Sequence, residues 1–383
     1  PFRRHEIITG VPRGSRAASS ATSPLSMRRH PWETAWPMLL GIVSLMSFQL
    51  VDSIFIARLG VDPLAVIGFT IPIYQVFIGI QVGIGIATTA LISQLLGAKK
   101  DERAKQLAGL IVCIGSAIFI VLAIATWFGR AQIITLLGGE QSLLPFVEEF
   151  WSIWLVAAFC GAFLYFGYSI CRANGNTLLP GIGMVATSLI NIALDPLFIF
   201  TFDLGLAGAA YATLASFCLG WLLIYPQIFK RHWMVFAHAF DDAAMKIKNI
   251  LSVALPAMTS QLLPALSSML ATYLVASYGT ESVAAWGMGI RVEFFSIILV
   301  LAMTMSLPPM IGKSFGAKDF EYIELLLKLS VKTIFIWQLC LALLLWFFDT
   351  PISRMLTGND EISGIVRLYI VIIPFSYAFL GVC

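Results

Sequence analysis

The sequence predicts an all-α polytopic membrane protein made of two six-helix bundles related by a parallel internal repeat, with the second bundle incomplete. Three observations carry this expectation. The composition is too apolar for water, the apolar runs are long enough to cross a bilayer, and one repeat offset aligns loops as well as spans.

Of 383 residues, 59% are hydrophobic and only 12% charged, with a mean hydropathy of +0.88. Soluble domains carry about 25% charged residues. The polar runs are too short to cover so much apolar surface, and lipid removes the need to cover it. A net charge of +3 speaks against nucleic-acid binding. The six cysteines, Cys113, Cys160, Cys171, Cys218, Cys340 and Cys383, lie in apolar stretches without metal-ligand or redox spacing. His5, His30, His232 and His238 lie in polar segments, and no HExxH or GxSxG motif occurs. The reading is therefore a transporter without cofactor rather than an enzyme.

Nine complete spans are predicted, at 36–59, 64–96, 107–129, 146–170, 178–202, 206–229, 250–278, 283–312 and 323–348. A tenth begins near 363 and is cut off. The first methionine is Met27, so residues 1–30 are expected to be a tail or to precede the true start. Residues 31–229 form the first bundle, 230–249 a cytoplasmic inter-bundle loop, and 250–383 the second bundle, truncated after about four helices: three complete spans and the start of a fourth. One set of alternate connections carries Arg28, Arg29, Lys99, Lys100, Arg103, Lys105, Arg172, Lys230, Arg231, Lys246, Lys248, Lys313 and Lys318; the other carries Arg58, Arg130 and Arg354. The positive-inside rule places the N-terminus in the cytoplasm, the membrane being the bacterial inner one.

The repeat offset is 219. Pro37 meets Pro256, Gly60 meets Gly279, Gly68 meets Gly287, Gly97-Ala98-Lys99 meets Gly316-Ala317-Lys318, Trp127-Phe128 meets Trp346-Phe347, and Gly139 meets Gly358. Apolar bias aligns leucines and isoleucines, not Gly, Pro and Trp punctuation in both loops and spans. A unit of six spans is even in number, so both halves have the same orientation.

Ionisable residues inside spans are costly and mark function. Asp52 and Asp195 each lie eight residues before an outer loop, about 12 Å deep. Asn191 is one turn below Asp195 on the same face, and Thr213 on the next span reaches a similar depth. Pro196 removes a backbone hydrogen bond beside the acid and is the expected hinge. Two carboxylates, an amide and a hydroxyl suit a proton or a small hard cation, with Na+ at Asp52, Asn191 and Asp195. The second half has Ala271 where the first has Asp52. Its charges inside a span are Arg291 and Glu293, too close in sequence to face each other. Gln49, Tyr74, Gln261, Arg291 and Glu293 are the candidates for a substrate or second-half polar site. Tyr74, Phe77, Trp154, Tyr165, Tyr168 and Trp286 could face flat cations, with helix packing the default for each.

These residues resemble the multidrug and toxic compound extrusion (MATE) family, from about residue 33 onward. The resemblance rests on Val51-Asp52 with Ala57-Arg58-Leu59-Gly60, on Gly97-Ala98-Lys99, and on Cys171-Arg172-Ala173-Asn174-Gly175-Asn176-Thr177. It rests also on Asn191-x-x-x-Asp195-Pro196 and on Leu204-Gly205-Leu206-Ala207-Gly208-Ala209-Ala210 before Thr213. It implies twelve helices in two bundles around a cleft, and export of cationic or amphipathic compounds against protons or sodium ions. It assigns Asp52, Asn191, Asp195 and Thr213 to the cation-responsive cluster. Gln261 stands where some sodium-coupled members carry an acid. The alternative is a lipid-linked saccharide flippase of the same superfamily, for which several cavity cations are expected and Arg291 is the one deep base. The expected partners are small-molecule substrates and the bilayer, and the expected state is a monomer.

Overall fold

The computed structural model describes residues 31–137, 141–356 and 360–380, and helices account for nearly all of them. The first half contains α1 (Pro31–Ala57), α2 (Val61–Gly97), α3 (Asp101–Phe128), α4 (Arg130–Leu136), α5 (Leu144–Ala173), α6 (Leu178–Pro196) and α7 (Gly205–Lys230). The second contains α8 (Ala243–Ala276), α9 (Thr280–Ser296), α10 (Ile298–Gly316), α11 (Phe320–Phe347), α12 (Asp349–Leu356), α13 (Asp360–Ile372) and α14 (Pro374–Leu380). Among the described residues, nine helices are long and apolar enough to cross a membrane. The predicted tail lies outside the described residues.

Helix ends repeat at the offset read from the sequence. α1 and α8 end at Ala57 and Ala276 (276 − 57 = 219), α2 and α9 start at Val61 and Thr280, and α3 and α11 span Asp101–Phe128 and Phe320–Phe347. Backbone conformation repeats too. Gly60 and Gly279 have φ of 123° and 107°, and Lys99 and Lys318 have φ of 58° and 59°. The non-glycine positive φ at both lysines marks the same tight turn in each half. An ion pair also recurs with its charges exchanged: Arg130–Glu148 at 2.6 Å in the first half, Asp349–Arg367 at 2.7 Å in the second.

The halves meet where their equivalent helices cross. A Cβ on Gly97 would lie 1.9 Å from the Lys313 carbonyl oxygen, and one on Gly316 would lie 2.0 Å from that of Gln94. Gln94 and Lys313 are themselves repeat equivalents, so the contact is reciprocal, as at an isologous two-fold interface. Ser93 stands against its own equivalent Gly312, where a Cβ would fall 2.0 Å from the serine Oγ. Nearby, Gly83 and Gly79 of α2 admit Met258 and Leu262 of α8. Large side chains farther along α8, among them Leu266, Leu270 and Tyr273, are exposed.

Four sequence expectations change. The eighth span is two helices, α9 and α10, parted at Ile297 without Pro or Gly to signal it. The seventh starts at Ala243, not 250, because the polar Lys246-x-Lys248 stretch continues the helix. Residues 231–242 fold back on the first half: Val235 N donates to the Lys105 carbonyl at 3.2 Å, with Met234 and Ala239 buried beneath. Arg172 is not in a loop. It occupies the last turn of α5, 3% exposed, and its Nη2 donates to Ser169 Oγ at 2.8 Å. A cation there is favoured by the C-terminal end of the helix dipole.

Candidate functional site

The register of α1 on α6 brings the two acids together. Gly41 lies against Met184, whose sulfur would be 2.9 Å from a Cβ at that glycine, and Gly181 lies against the Pro37 carbonyl. Small residues let these parallel helices approach closely. Asp52 is eleven residues beyond Gly41, and Asp195 is eleven beyond Met184. Eleven residues are about three turns, so each acid lies on the contacting face of its helix. The matched register sets Asp52 of α1 level with Asp195 of α6 along the α1–α6 contact. Asp195 is wholly buried and Asn191 is 1% exposed.

Asn191 and Thr213 complete the cluster. The Asn191 amide lies 3.2 Å from Thr213 Oγ1, joining α6 to α7. The orientation that satisfies both ends of the amide has its nitrogen donating to Asp195 Oδ2 at 3.1 Å. Its oxygen then accepts from Thr213 Oγ1 and from Thr213 N, both at 3.2 Å. The Thr213 hydroxyl has a single proton, and the Ala209 carbonyl at 3.0 Å is the alternative acceptor for it. One oxygen of each carboxylate, Oδ1 of Asp52 and Oδ1 of Asp195, is buried with no hydrogen-bond partner. No salt bridge within 4.0 Å joins either acid to a base among the described residues. Carboxylate oxygens buried among apolar helices without a partner are costly as free charges, and a proton or a small cation relieves that cost.

Directly after Asp195, α6 changes form. Pro196 is its last residue, and residues Leu197–Thr201 make a π-helical turn. Phe202 N donates to the Leu197 carbonyl and Leu204 N to the Phe198 carbonyl. Such turns place a wider, less constrained backbone at functional sites. Phe200 of this turn packs edge-on against Phe55 of α1, centroids 6.0 Å apart. Gly208 of α7 admits the Phe198–Ile199 backbone, where a Cβ would approach within 2.7 Å. The turn is thereby wedged between the helices that carry Asp52 and Thr213.

The remaining candidates separate. Gln49 Nε2 donates to Tyr74 OH at 3.2 Å, linking α1 to α2 one turn from Asp52. Gln261 is exposed on α8 and does not join the cluster. Glu293 accepts from Tyr369 OH at 3.2 Å. The side chain of Arg291 lies outside the described residues. Phe77, Trp154, Tyr165 and Tyr168 are buried in the core of the first half. Sequence reasoning missed Tyr369, Tyr377 and Gln338; comparison of the halves at the 219 offset is the signal that finds them.

The chain is 30% identical over 358 residues to the FAD transporter of Shewanella oneidensis, covering 90% of this chain and 78% of that protein. It is 27% identical to the probable multidrug resistance protein YoeA of Bacillus subtilis, covering 90% of this chain and 77% of that one. The crystal structure of the Vibrio cholerae MATE transporter VcmN in the bent form superposes with a TM-score of 0.89 at 49% identity, covering 92% and 80% of the two chains. The MatE family model matches residues 37–197 and 256–383, two blocks whose starts are again 219 apart. A helical membrane fold, a two-fold internal repeat and these matches agree: the chain belongs to the MatE family of transporters.

Proposed function

We propose that this chain is the core of an antiporter that exports small organic compounds, cationic or amphipathic, in exchange for protons or sodium ions taken up at Asp52 and Asp195. The observation that carries the reading is one buried, unpartnered carboxylate oxygen on each of Asp52 and Asp195, the latter joined to Asn191 and Thr213. Cation uptake from the outside removes the repulsion between the carboxylates and lets α1 and the turn after Pro196 repack. The repacked wall weakens substrate binding, substrate leaves outward, and the cation is released inside after the halves rock. The cation drives export only by as much as it discriminates between the two states. The bacterial inner membrane with a cytoplasmic N-terminus is part of this proposal, supported by the positive residues at the Gly97–Asp101 and Gly316–Phe320 turns.

The test is ethidium efflux by the full-length protein in proteoliposomes under an imposed proton or sodium gradient. Asp52→Asn and Asp195→Asn are expected to abolish gradient-driven efflux while the protein stays folded and inserted. Normal efflux by either variant refutes the coupling role. A second reading, export of a flavin dinucleotide, is favoured by the likeness to the Shewanella oneidensis transporter. It is tested in the same vesicles with FAD as cargo.

A further inference from the structure

The internal repeat supplies a control, because it shows what each position of the second half looks like in the first. At positions 74, 77, 119 and 150 the first half has Tyr74, Phe77, Phe119 and Phe150. Phe77 and Phe119 pack edge to face across α2 and α3, centroids 5.7 Å apart. The equivalents 219 residues on are Glu293, Ser296, Gln338 and Tyr369. The crossing is kept and its chemistry is replaced: Gln338, 0% exposed, donates from Nε2 to the Ser296 carbonyl at 3.2 Å. Burial shows that the equivalence extends to position 150, since Val147 and Val366 are both buried, as are Phe150 and Tyr369, and Trp151 and Ile370.

These polar groups gather around Glu293. Its carboxylate accepts from Tyr369 OH at 3.2 Å, and Tyr377 OH lies 3.5 Å beyond. The Tyr369 ring seats on α9 at Gly289 and meets the Trp286 ring edge-on at 5.5 Å. Trp286, Gly289, Glu293 and Ser296 fall on one face of α9 by their spacing of three and four residues. Two polar atoms of the cluster, Gln338 Oε1 and Trp286 Nε1, are buried without a partner. Polar groups in a bundle core are costly, and unsatisfied ones more so. Packing alone does not explain them, since the first half packs the same crossing with aromatic rings.

We propose that the second bundle carries a recognition site for an organic cation, formed by the Glu293 carboxylate, the Tyr369 and Trp286 rings, and the free Gln338 oxygen. The chemistry selects the ligand. One fixed negative charge beside aromatic faces attracts a cation whose positive charge is spread over an apolar body, and repels phosphate or carboxylate. The inference rests on the exporter reading only for the class of cargo. It is independent of where the coupling cation binds.

Equilibrium binding of tetraphenylphosphonium to the full-length protein in detergent, without any gradient, tests it, with sodium binding measured in parallel. Glu293→Gln is expected to weaken tetraphenylphosphonium binding about tenfold or more. Tyr369→Leu, which leaves the acid in place, carries the test if the first variant fails to fold, and is expected to weaken binding by a smaller factor. Sodium binding should be unchanged in both. Wild-type affinity in Glu293→Gln and Tyr369→Leu overturns the proposal, as does loss of sodium binding with tetraphenylphosphonium unaffected, which would make this an inorganic cation site. Failure of the coupling reading would show instead as normal gradient-driven efflux by Asp195→Asn, a result that leaves these affinities untouched.

Discussion

Gly97→Ala is the sharpest perturbation of the seam between the halves. In this state the new methyl would sit 1.9 Å from the Lys313 carbonyl oxygen, well inside any tolerated contact, and backbone rather than a side-chain tip would have to move. Gly316→Ala places its methyl 2.0 Å from the Gln94 carbonyl oxygen. Overpacking of this kind costs about 1–3 kcal/mol. The cost falls on the closed seam alone, because separated helices have room for a methyl. The closed state should therefore lose about 5- to 150-fold in relative population per substitution. The two sites lie on one contact, so the double variant should fall short of the sum. Nitroxide labels at Lys99→Cys and Lys318→Cys, in a background lacking the six native cysteines, report the separation of the two turns by double electron–electron resonance. The label pair should show one short distance in the parent and added weight at longer distances in each alanine variant. An unchanged distribution in correctly inserted Gly97→Ala would refute the reading that this reciprocal contact holds the two halves together.

Three further outcomes are expected. Pro196→Ala restores an N–H that can bond the Ile192 carbonyl and stiffens the turn after Asp195; turnover in proteoliposomes should fall about tenfold with equilibrium substrate binding unchanged, and wild-type turnover would remove Pro196 from the mechanism. Arg130→Glu and Glu148→Arg singly should each lower thermal stability by about 0.2–1 kcal/mol. The double inversion, which reproduces the order of charges at Asp349 and Arg367, should recover most of it. Hydrogen bonds from Arg367 and Thr350 hold the Asp349 carboxyl below its ordinary value of 3.8. A depressed value means that this carboxylate contributes stability above about that pH and loses it as pH falls through the lowered value. The melting difference between the parent and Asp349→Asn should accordingly be constant from pH 7 to pH 5 and shrink below pH 4.

Residue type made some of this legible and hid the rest. Asp52 and Asp195 are conspicuous because an acid in an apolar run has few structural excuses, and Asn191 follows from helical spacing. What brings the acids together is not conspicuous: it depends on Gly41 and Gly181 letting α1 approach α6, and small residues in an apolar run carry no visible address. The apolar run fades near 170 and suggests a loop at Arg172, whereas the backbone stays helical through Ala173. The break at Ile297 leaves no trace, since Ser296-Ile297-Ile298 contains neither Pro nor Gly. Matching identities could not find the Arg130–Glu148 and Asp349–Arg367 equivalence, because the repeat preserves the pairing and exchanges the signs. Aromatic residues were the least informative: Trp154 and Tyr168 are buried in the core, and their type alone does not separate core from cavity.

The two halves share helix ends, turns and an ion pair, so their differences are choices made on one scaffold. The first half places its acids on α1 and α6 and fills the α2–α3–α5 core with rings. The second half has Ala271 where Asp52 would be, and places Glu293, Ser296, Gln338 and Tyr369 where those rings would be. The charged positions thus trade places between the outer helix and the core. The proposed cation site between α1 and α6 and the proposed ligand site near Glu293 do not share a residue, so direct competition is not available to couple them. They do share the α2–α10 seam: α2 carries Tyr74 and ends in Gly97, and α10 continues from α9 just past Glu293 and ends in Gly316. Coupling between such sites requires an element with two discrete arrangements that both sites bias. A seam closed by reciprocal backbone contact at Gly97 and Gly316, with only the short Ser93 side chain between the helices, has that all-or-none character. Export driven by a cation then needs no wire from Asp195 to Glu293, only that each site prefer a different setting of the same crossing.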